Sequence, residues 1–348
     1  MTDAPDGGPA VLDYLRAGKL ANLDQLASAT SSTVLDGPAQ GCRAVDLRVV
    51  GGIDLRILPD RGFDVGQAWF RGLPLSWISS VGESAPLGSL TGMAWLEAFA
   101  GGLITTCGLR NVGAPSEGHG LHGRFSHLRA SNVRVGRETE GDALVLTARA
   151  TIDEIDADGT HLRVERSIRT RTSLGHVELT DVTTNLGPVA EAAPLLYHVN
   201  VGAPLLDEGA MVEIDSVEVL PRDARSERDV ASWMAPGPPE AEAEEMVFEH
   251  RVRGDSSGWG RAALINRPVG LRLVLRWRQA ELPRFHQWLH PGRSMYVLGL
   301  EPANCSVLGR AADREVGALP VLEPEERRTT EIRITAEPLG DGAETRPC

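Results

Sequence analysis

Between Arg43 and Leu58 apolar and polar residues take turns along the chain. Val45, Leu47 and Val49 alternate with Ala44, Asp46 and Arg48, Gly51-Gly52 follows, and Ile53-Asp54-Leu55-Arg56-Ile57-Leu58 resumes the pattern. A period of two turns one face of a strand inward, and a glycine pair between two such runs predicts a β-hairpin. Pro59-Asp60-Arg61-Gly62 predicts a turn that leads into another short strand pair, through Trp77. Residues 143–152 are largely apolar and run on to the polar turn Asp156-Ala157-Asp158-Gly159, after which Leu162, Val164 and Ile168 mark a returning strand. Val177, Leu179, Val182 and Leu186 predict a further strand after Gly175. Leu271, Leu273, Leu275 and Trp277 alternate with Arg272, Val274, Arg276 and Arg278, which is the pattern of a half-buried strand. Ile332 and Ile334, set between Glu331, Arg333 and Thr335, predict the last strand.

Helical periodicity is confined to two places. Leu12, Leu15, Leu20, Leu23 and Leu26 predict one or two short helical turns over residues 11–28. Trp95–Ala100 predicts one more, stopped by Gly101-Gly102. Residues 1–10 read as a frayed start, and Pro236-Gly237-Pro238-Pro239 with the acidic run through Glu245 reads as an exposed loop. The expected organisation is an N-terminal helical extension over 1–40, a single β-sandwich domain over 41–340 and a tail over 341–348. There is no internal repeat and no regular strand–helix alternation of the kind that makes a parallel sheet. The expected fold class is all-β, a large antiparallel β-sandwich.

Size and charge narrow the function classes. The 348 residues are 42% hydrophobic and carry a net charge of −13, with Lys and Arg dispersed. An acidic chain without a basic stripe argues against nucleic acid and anionic lipid as partners. No apolar run approaches the ~20 residues that cross a bilayer. The acidic start Met1-Thr2-Asp3-Ala4-Pro5-Asp6 has no signal-peptide core behind it, so a cytoplasmic location is expected. Cys42, Cys107, Cys305 and Cys348 form no Cys-x-x-Cys and read as free thiols.

Candidate chemistry gathers in four stretches. Gly118-His119-Gly120-Leu121-His122-Gly123-Arg124 holds two histidines among three glycines. Thr105–Asn111 lies just upstream, and Leu195–Gly202 and Leu298–Asn304 set His198 and Glu301 in apolar surroundings. No metal site is expected. The glycines around His119 and His122 oppose a helix, Pro291-Gly292 ends any helix that His286 and His290 share, and no glutamate takes the zincin position. His119 and His286 read as hydrogen-bonded structural histidines. His198 by itself also reads as a satisfied core histidine. An acid such as Glu301 at the end of an apolar strand is costly unless it is paired or functional. The coincidence of both with a third polar cluster at His122 favours a site. There is no glycine-rich phosphate loop before a helix and no Gly-x-Ser-x-Gly elbow.

Leu121-His122-Gly123, His198-Val199-Asn200 and Leu300-Glu301-Pro302-Ala303-Asn304 resemble, in order, the three signature regions of the aldose 1-epimerase (galactose mutarotase) superfamily. The resemblance spans roughly residues 40–340 and points to a divergent mutarotase-like branch. It implies a β-supersandwich, no metal or cofactor, and isomerase chemistry in carbohydrate metabolism that exchanges the α and β anomers of an aldose. Carried over, Glu301 matches the general base, His198 the general acid, and His122 the histidine that helps hold the sugar. Arg110 stands for the substrate arginine at an altered spacing, and Asp207 for the family's aspartate. Arg61, Asn200 and Gln287 are further candidate sugar hydrogen-bonders, and Trp288 and Trp277 candidate faces for the ring. The expected partner is a small-molecule sugar bound by a monomer or homodimer. Two alternatives stay open: a non-catalytic carbohydrate-binding or regulatory protein, and an epimerase or isomerase acting at another sugar position.

Overall fold

The computed structural model describes residues 11–340. The frayed start over 1–10 and the tail over 341–348, with Cys348, lie outside the described residues. Three antiparallel sheets dominate. The first has five strands in chain order, Ala27–Thr33, Arg43–Val49, Ile53–Leu58, Asp64–Phe70 and Leu73–Pro74. The hairpin expected at Gly51-Gly52 is present, with Val45 opposite Ile57 and Leu47 opposite Leu55. Residues 27–33, expected within the helical extension, instead form a strand that pairs with Arg43–Val49. The segment Ala-Ser-Ala-Thr-Ser-Ser-Thr carries no helical period, and edge pairing satisfies its backbone. The helical turns upstream are a six-residue helix at Val11–Arg16 and a 3-10 turn at Leu23–Gln25.

The second sheet has eight strands in the order Ala210–Ile214, Trp259–Asn266, Leu271–Arg278, Arg327–Pro338, Leu174–Asn185, His161–Arg171, Ala143–Ile155 and Ser131–Glu140. Its alternating sequences bury one face. In His161–Arg171, for instance, Leu162, Val164 and Ile168 point inward. The third has six strands in the order Ser216–Pro221, Met246–Val252, Arg284–Gly292, Met295–Ala303, Leu195–Val201 and Thr105–Gly108.

The six-stranded sheet is covered on both faces, which is why Leu195–Val201 is buried at every position. Tyr197 and Val199 face the eight-stranded sheet and share one core with Leu179, Leu275 and Ile332. Trp277 lies in that core, stacked on Phe285 with centroids 4.4 Å apart. A buried polar knot ties the layers: Arg166 binds Asp181 and Asp64, and Tyr197 Oη donates to Asp181 at 2.7 Å. The opposite face carries Leu196, His198, Trp288 and Val297 and is covered by a second apolar cluster that includes Trp77, Trp95 and Phe99. Cys42, Cys107 and Cys305 are buried free thiols. Among the described residues no helix is long and apolar enough to cross a membrane.

Candidate active site

Strand register brings His198 and Glu301 together. Leu196 pairs with Ala303 and Val199 with Leu300, so His198 falls opposite Glu301 on the neighbouring strand. Residues directly opposite share a face. Both side chains therefore point into the covered outer face, with His198 Nε2 3.2 Å from Glu301 Oε1. Gly299 makes the approach possible. A Cβ there would stand 2.5 Å from Glu301 Oε1 and 3.0 Å from His198 Cε1.

His122 arrives from the loop that covers this face. Its backbone is locked at both ends: His122 N donates to Gly113 O at 2.9 Å, and His122 O accepts from Gly108 N at 2.9 Å. His122 itself sits at φ 55° and Gly123 at φ 69°. A side chain at Gly123 would collide with Gly108 O and Asn111 O at 2.4 and 2.6 Å. The glycines of the first stretch thus let it lie directly against Thr105–Asn111. Asn111 completes the clasp by donating to Gly120 O at 2.9 Å. Gly113 N donates to His122 Nδ1 at 3.3 Å, which leaves the imidazole proton on Nε2 in the neutral ring.

These three residues line one cavity of about 520 Å³. Its walls are largely aromatic and aliphatic. Trp95 stacks on Phe99 with centroids 4.4 Å apart and stands 4.7 Å from the His122 ring, while Trp288 meets the His198 ring edge-on at 5.2 Å. Further polar lining comes from Arg222, Glu245 and His290. Glu245 accepts from Trp288 Nε1 at 2.9 Å and from Arg222 Nη2 at 2.8 Å.

Burial sets the charges. It pushes the Glu301 carboxyl up to about 8, with the Glu245 carboxylate adding to the rise. Burial and the neighbouring His122 lower His198 to about 3, and burial lowers His122 to about 4. Near neutrality these shifts leave His198 neutral and Glu301 protonated. The 3.2 Å approach of His198 Nε2 is not an aligned hydrogen bond, and Glu301 Oε1 and His198 Nδ1 are buried without hydrogen-bond partners among the described residues. Buried polar atoms left in that state cost roughly 1–3 kcal/mol each, so a ligand that pairs with them gains that much.

The other candidates lie elsewhere. Arg110 ion-pairs with Asp156 and with Glu191, and lines a different cavity of about 750 Å³ with His119 and Arg124. There Arg124 binds Glu154 at 2.8 Å, so the cations of that cavity are matched by acids. Arg61 is buried as a staple: its guanidinium donates to Ser126 O at 2.8 Å and to Ala98 O at 2.7 Å, which fixes the turn that carries Trp95. Asn200 is turned onto Gly102 O at 2.9 Å, tying the covering loop to the sheet. Gln287 faces the inter-sheet side and bonds His250 and Trp233 O. Asp207 is exposed on a loop. Of the two tryptophans, Trp288 lines the cavity and Trp277 belongs to the inter-sheet core. His119 contacts Arg310 at 3.0 Å and His286 contacts Cys305 O at 3.2 Å, both hydrogen-bonded as expected. No group of three or more His, Cys, Asp or Glu among the described residues is placed to hold a metal ion.

Sequence reasoning missed Arg222, Glu245, Trp95, Phe99 and Gly299. Glu245 stands in the acidic run expected to be an exposed loop, and nothing local distinguishes it from its neighbours. Gly299 does carry a signal, since glycine inside an apolar strand marks a close approach.

The chain is a large antiparallel β-sandwich with a histidine–glutamate pair lining a cavity on the covered outer face of one sheet. Residues 39–336 match the family described as "Domain of unknown function (DUF4432)", and the chain belongs to that family. No curated protein matches it. Among solved structures, it is similar to a candidate aldose 1-epimerase from Klebsiella pneumoniae, with a TM-score of 0.83 and 20% identity over 92% of this chain and 89% of that one. A galactose mutarotase-like protein from Clostridium acetobutylicum follows at TM-score 0.62 and 13% identity, covering 90% of this chain and 100% of that one. Galactose 1-epimerase from Lactobacillus acidophilus gives 0.55 and 10%, over 90% and 100%. At these identities the likeness establishes the fold, the β-supersandwich of the galactose mutarotase type.

Proposed function

We propose that the chain is a mutarotase-like isomerase that exchanges the α and β anomers of an aldose by acid–base ring opening. The observation that carries this reading is the His198–Glu301 pair, 3.2 Å apart across adjacent strands in an aromatic-walled cavity with His122. Ring opening needs one group to accept the anomeric hydroxyl proton while another donates to the ring oxygen. A protonated Glu301 beside a neutral His198 supplies both once that proton moves between them.

Moving that proton from Glu301 to His198 across the short contact gives carboxylate and imidazolium. Glu301 then takes the anomeric proton as His198 protonates the ring oxygen. The C1–O5 bond breaks and the C1 carbonyl forms. This returns the pair to neutral His198 and protonated Glu301, the charge state that burial favours. Rotation about C1–C2 and closure from the other face reverse both transfers and give the other anomer. His122, with its proton on Nε2, donates to a sugar oxygen, and Trp288 offers an apolar face to the ring.

The test is exchange between the anomers of several aldoses, followed by polarimetry or NMR saturation transfer. Exchange above the spontaneous rate that disappears in Glu301→Gln supports the reading. Sugar binding with no exchange above the spontaneous rate would make the chain a carbohydrate-binding protein instead.

A further inference from the structure

We infer that the cavity is built for a deoxy aldose, a sugar with at least one hydroxyl replaced by hydrogen. This rests on the anomer-exchange reading for its chemistry, and on the distribution of polar groups for its substrate class. A sugar enclosed by protein must find a partner for every hydroxyl or leave it dry, and a dry hydroxyl is costly.

The cavity offers polar side chains in two groups. His198 and Glu301 are committed to the ring oxygen and the anomeric hydroxyl, and His122 Nε2 is left to donate to one other sugar oxygen. The second group is Arg222, Glu245 and His290, and most of its capacity is already used. Arg222 binds Asp223 and Glu245, Glu245 also binds Trp288, and His290 Nδ1 accepts from Gly292 N at 3.1 Å. Arg222 Nη1, the second ring nitrogen of His290 and His122 Nε2 remain as three donor groups, whereas an ordinary hexose carries three more hydroxyls and a hydroxymethyl group. The side chains of the remaining wall are apolar. Trp95, Phe99, Leu121, Val247, Trp288 and Met295 present carbon to the cavity, apart from two indole N–H groups that Ser126 Oγ and Glu245 occupy. Met93, Leu96 and Leu308 line the mouth and are 53%, 45% and 57% exposed, so a substituent directed outward lies beside apolar side chains that water also reaches. A methyl group or a bare methylene suits these surfaces, and its burial is favourable.

The experiment compares sugars that differ by one hydroxyl: D-fucose with D-galactose, L-rhamnose with L-mannose, and 2-deoxy-D-ribose with D-ribose. For each, exchange above the spontaneous rate is measured by NMR saturation transfer, and binding by ligand-observed NMR, on the full wild-type chain. An apolar wall discriminates against an added hydroxyl by up to about 100-fold. The expected result is that the best substrate is a deoxy sugar, favoured over its own parent about 10- to 100-fold in kcat/KM. If no deoxy sugar exceeds its parent while exchange is fast, the substrate class is overturned and the isomerase reading stands. If deoxy sugars bind more tightly than their parents and none is exchanged, the isomerase reading falls and the ligand class stands. If no sugar of the set binds or is exchanged, both fall.

Discussion

His198 and Glu301 stand opposite each other on adjacent strands with Nε2 and Oε1 3.2 Å apart, and between pH about 3 and about 8 they hold a single titratable proton. Below the lower value burial of His198 is overcome and a second proton enters. Above the upper value the Glu301 proton is lost. Only the one-proton state can reach carboxylate plus imidazolium. The pH profile of kcat/KM is therefore expected to be a bell with its alkaline limb near 8. A flat profile from pH about 6 to about 10 would remove this pair from the chemistry.

Glu301→Gln keeps the size and one hydrogen-bonding oxygen of the side chain but cannot exchange the proton. It is expected to lower kcat by about 100-fold or more with little change in KM. His198→Asn is expected to behave alike, and the double variant to be little worse than the worse single one, because both act in one event. Additive losses in the double variant would show two separate roles.

Gly299→Ala tests the packing beneath the pair. The added methyl would sit 2.5 Å from Glu301 Oε1 and 3.2 Å from Trp288 Cβ, so the Glu301 side chain must move. Misplacing a reacting group by about 1 Å costs on the order of 100-fold in rate. The expected outcome is a folded protein, judged by its circular dichroism, with kcat lowered by at least about 10-fold. Wild-type kcat in this variant would mean that the position of Glu301 is not critical.

The antiparallel architecture was legible because its strands alternate. Val45–Val49 and Leu271–Trp277 each announce one buried face, and they lie in strands of two different sheets. His198 and Glu301 were legible for a related reason: both interrupt strands buried on both faces, where a polar side chain stands out. Arg110, Arg61 and Gln287 were equally plausible as sugar hydrogen-bonders, yet each is used up in a bond or ion pair that only tertiary contact reveals. Glu245 was hidden by its context. An acidic residue among Glu240, Glu242 and Glu244 has no local mark of being the one that turns inward, and its neighbours on the cavity wall, Trp288 and Arg222, are far away in sequence. Residues 27–33 were misread because the leucine spacing upstream stops at Leu26, while the strand's partner lies beyond the next turn.

Stability carries its own signature of Glu301. In the unfolded chain this group titrates near 4.5, and in the folded protein it is raised to about 8. The folded state therefore holds the proton more firmly. The contribution is full below about pH 4.5 and is lost as pH rises through about 8. Glu301→Gln cannot ionise and suffers no such loss. Its Tm relative to wild type is expected to rise between pH about 5 and about 8 and to level off above that, by an amount corresponding to roughly a few kcal/mol. Parallel melting curves across this range check it. A constant difference would mean that Glu301 ionises as easily in the fold as outside it.

Glu245 offers the last and most selective test, because it acts on Glu301 through charge without being one of the proton-transfer pair. Its carboxylate is held by Arg222 and Trp288, and its field favours the protonated form of Glu301. Glu245→Gln removes that field and leaves the positive charge of Arg222, which favours the ionised form of Glu301, less compensated. Both changes lower the pH at which Glu301 loses its proton. The alkaline limb of the kcat/KM profile is therefore expected to move to lower pH, while the plateau rate falls less than in Glu301→Gln. Glu245→Asp retains the charge and is expected to restore the position of the limb even if its shorter side chain no longer reaches Trp288. A loss of rate with the limb unmoved would mean that Glu245 only supports the wall, and a limb that moves to higher pH would reverse the sign of the coupling and refute it.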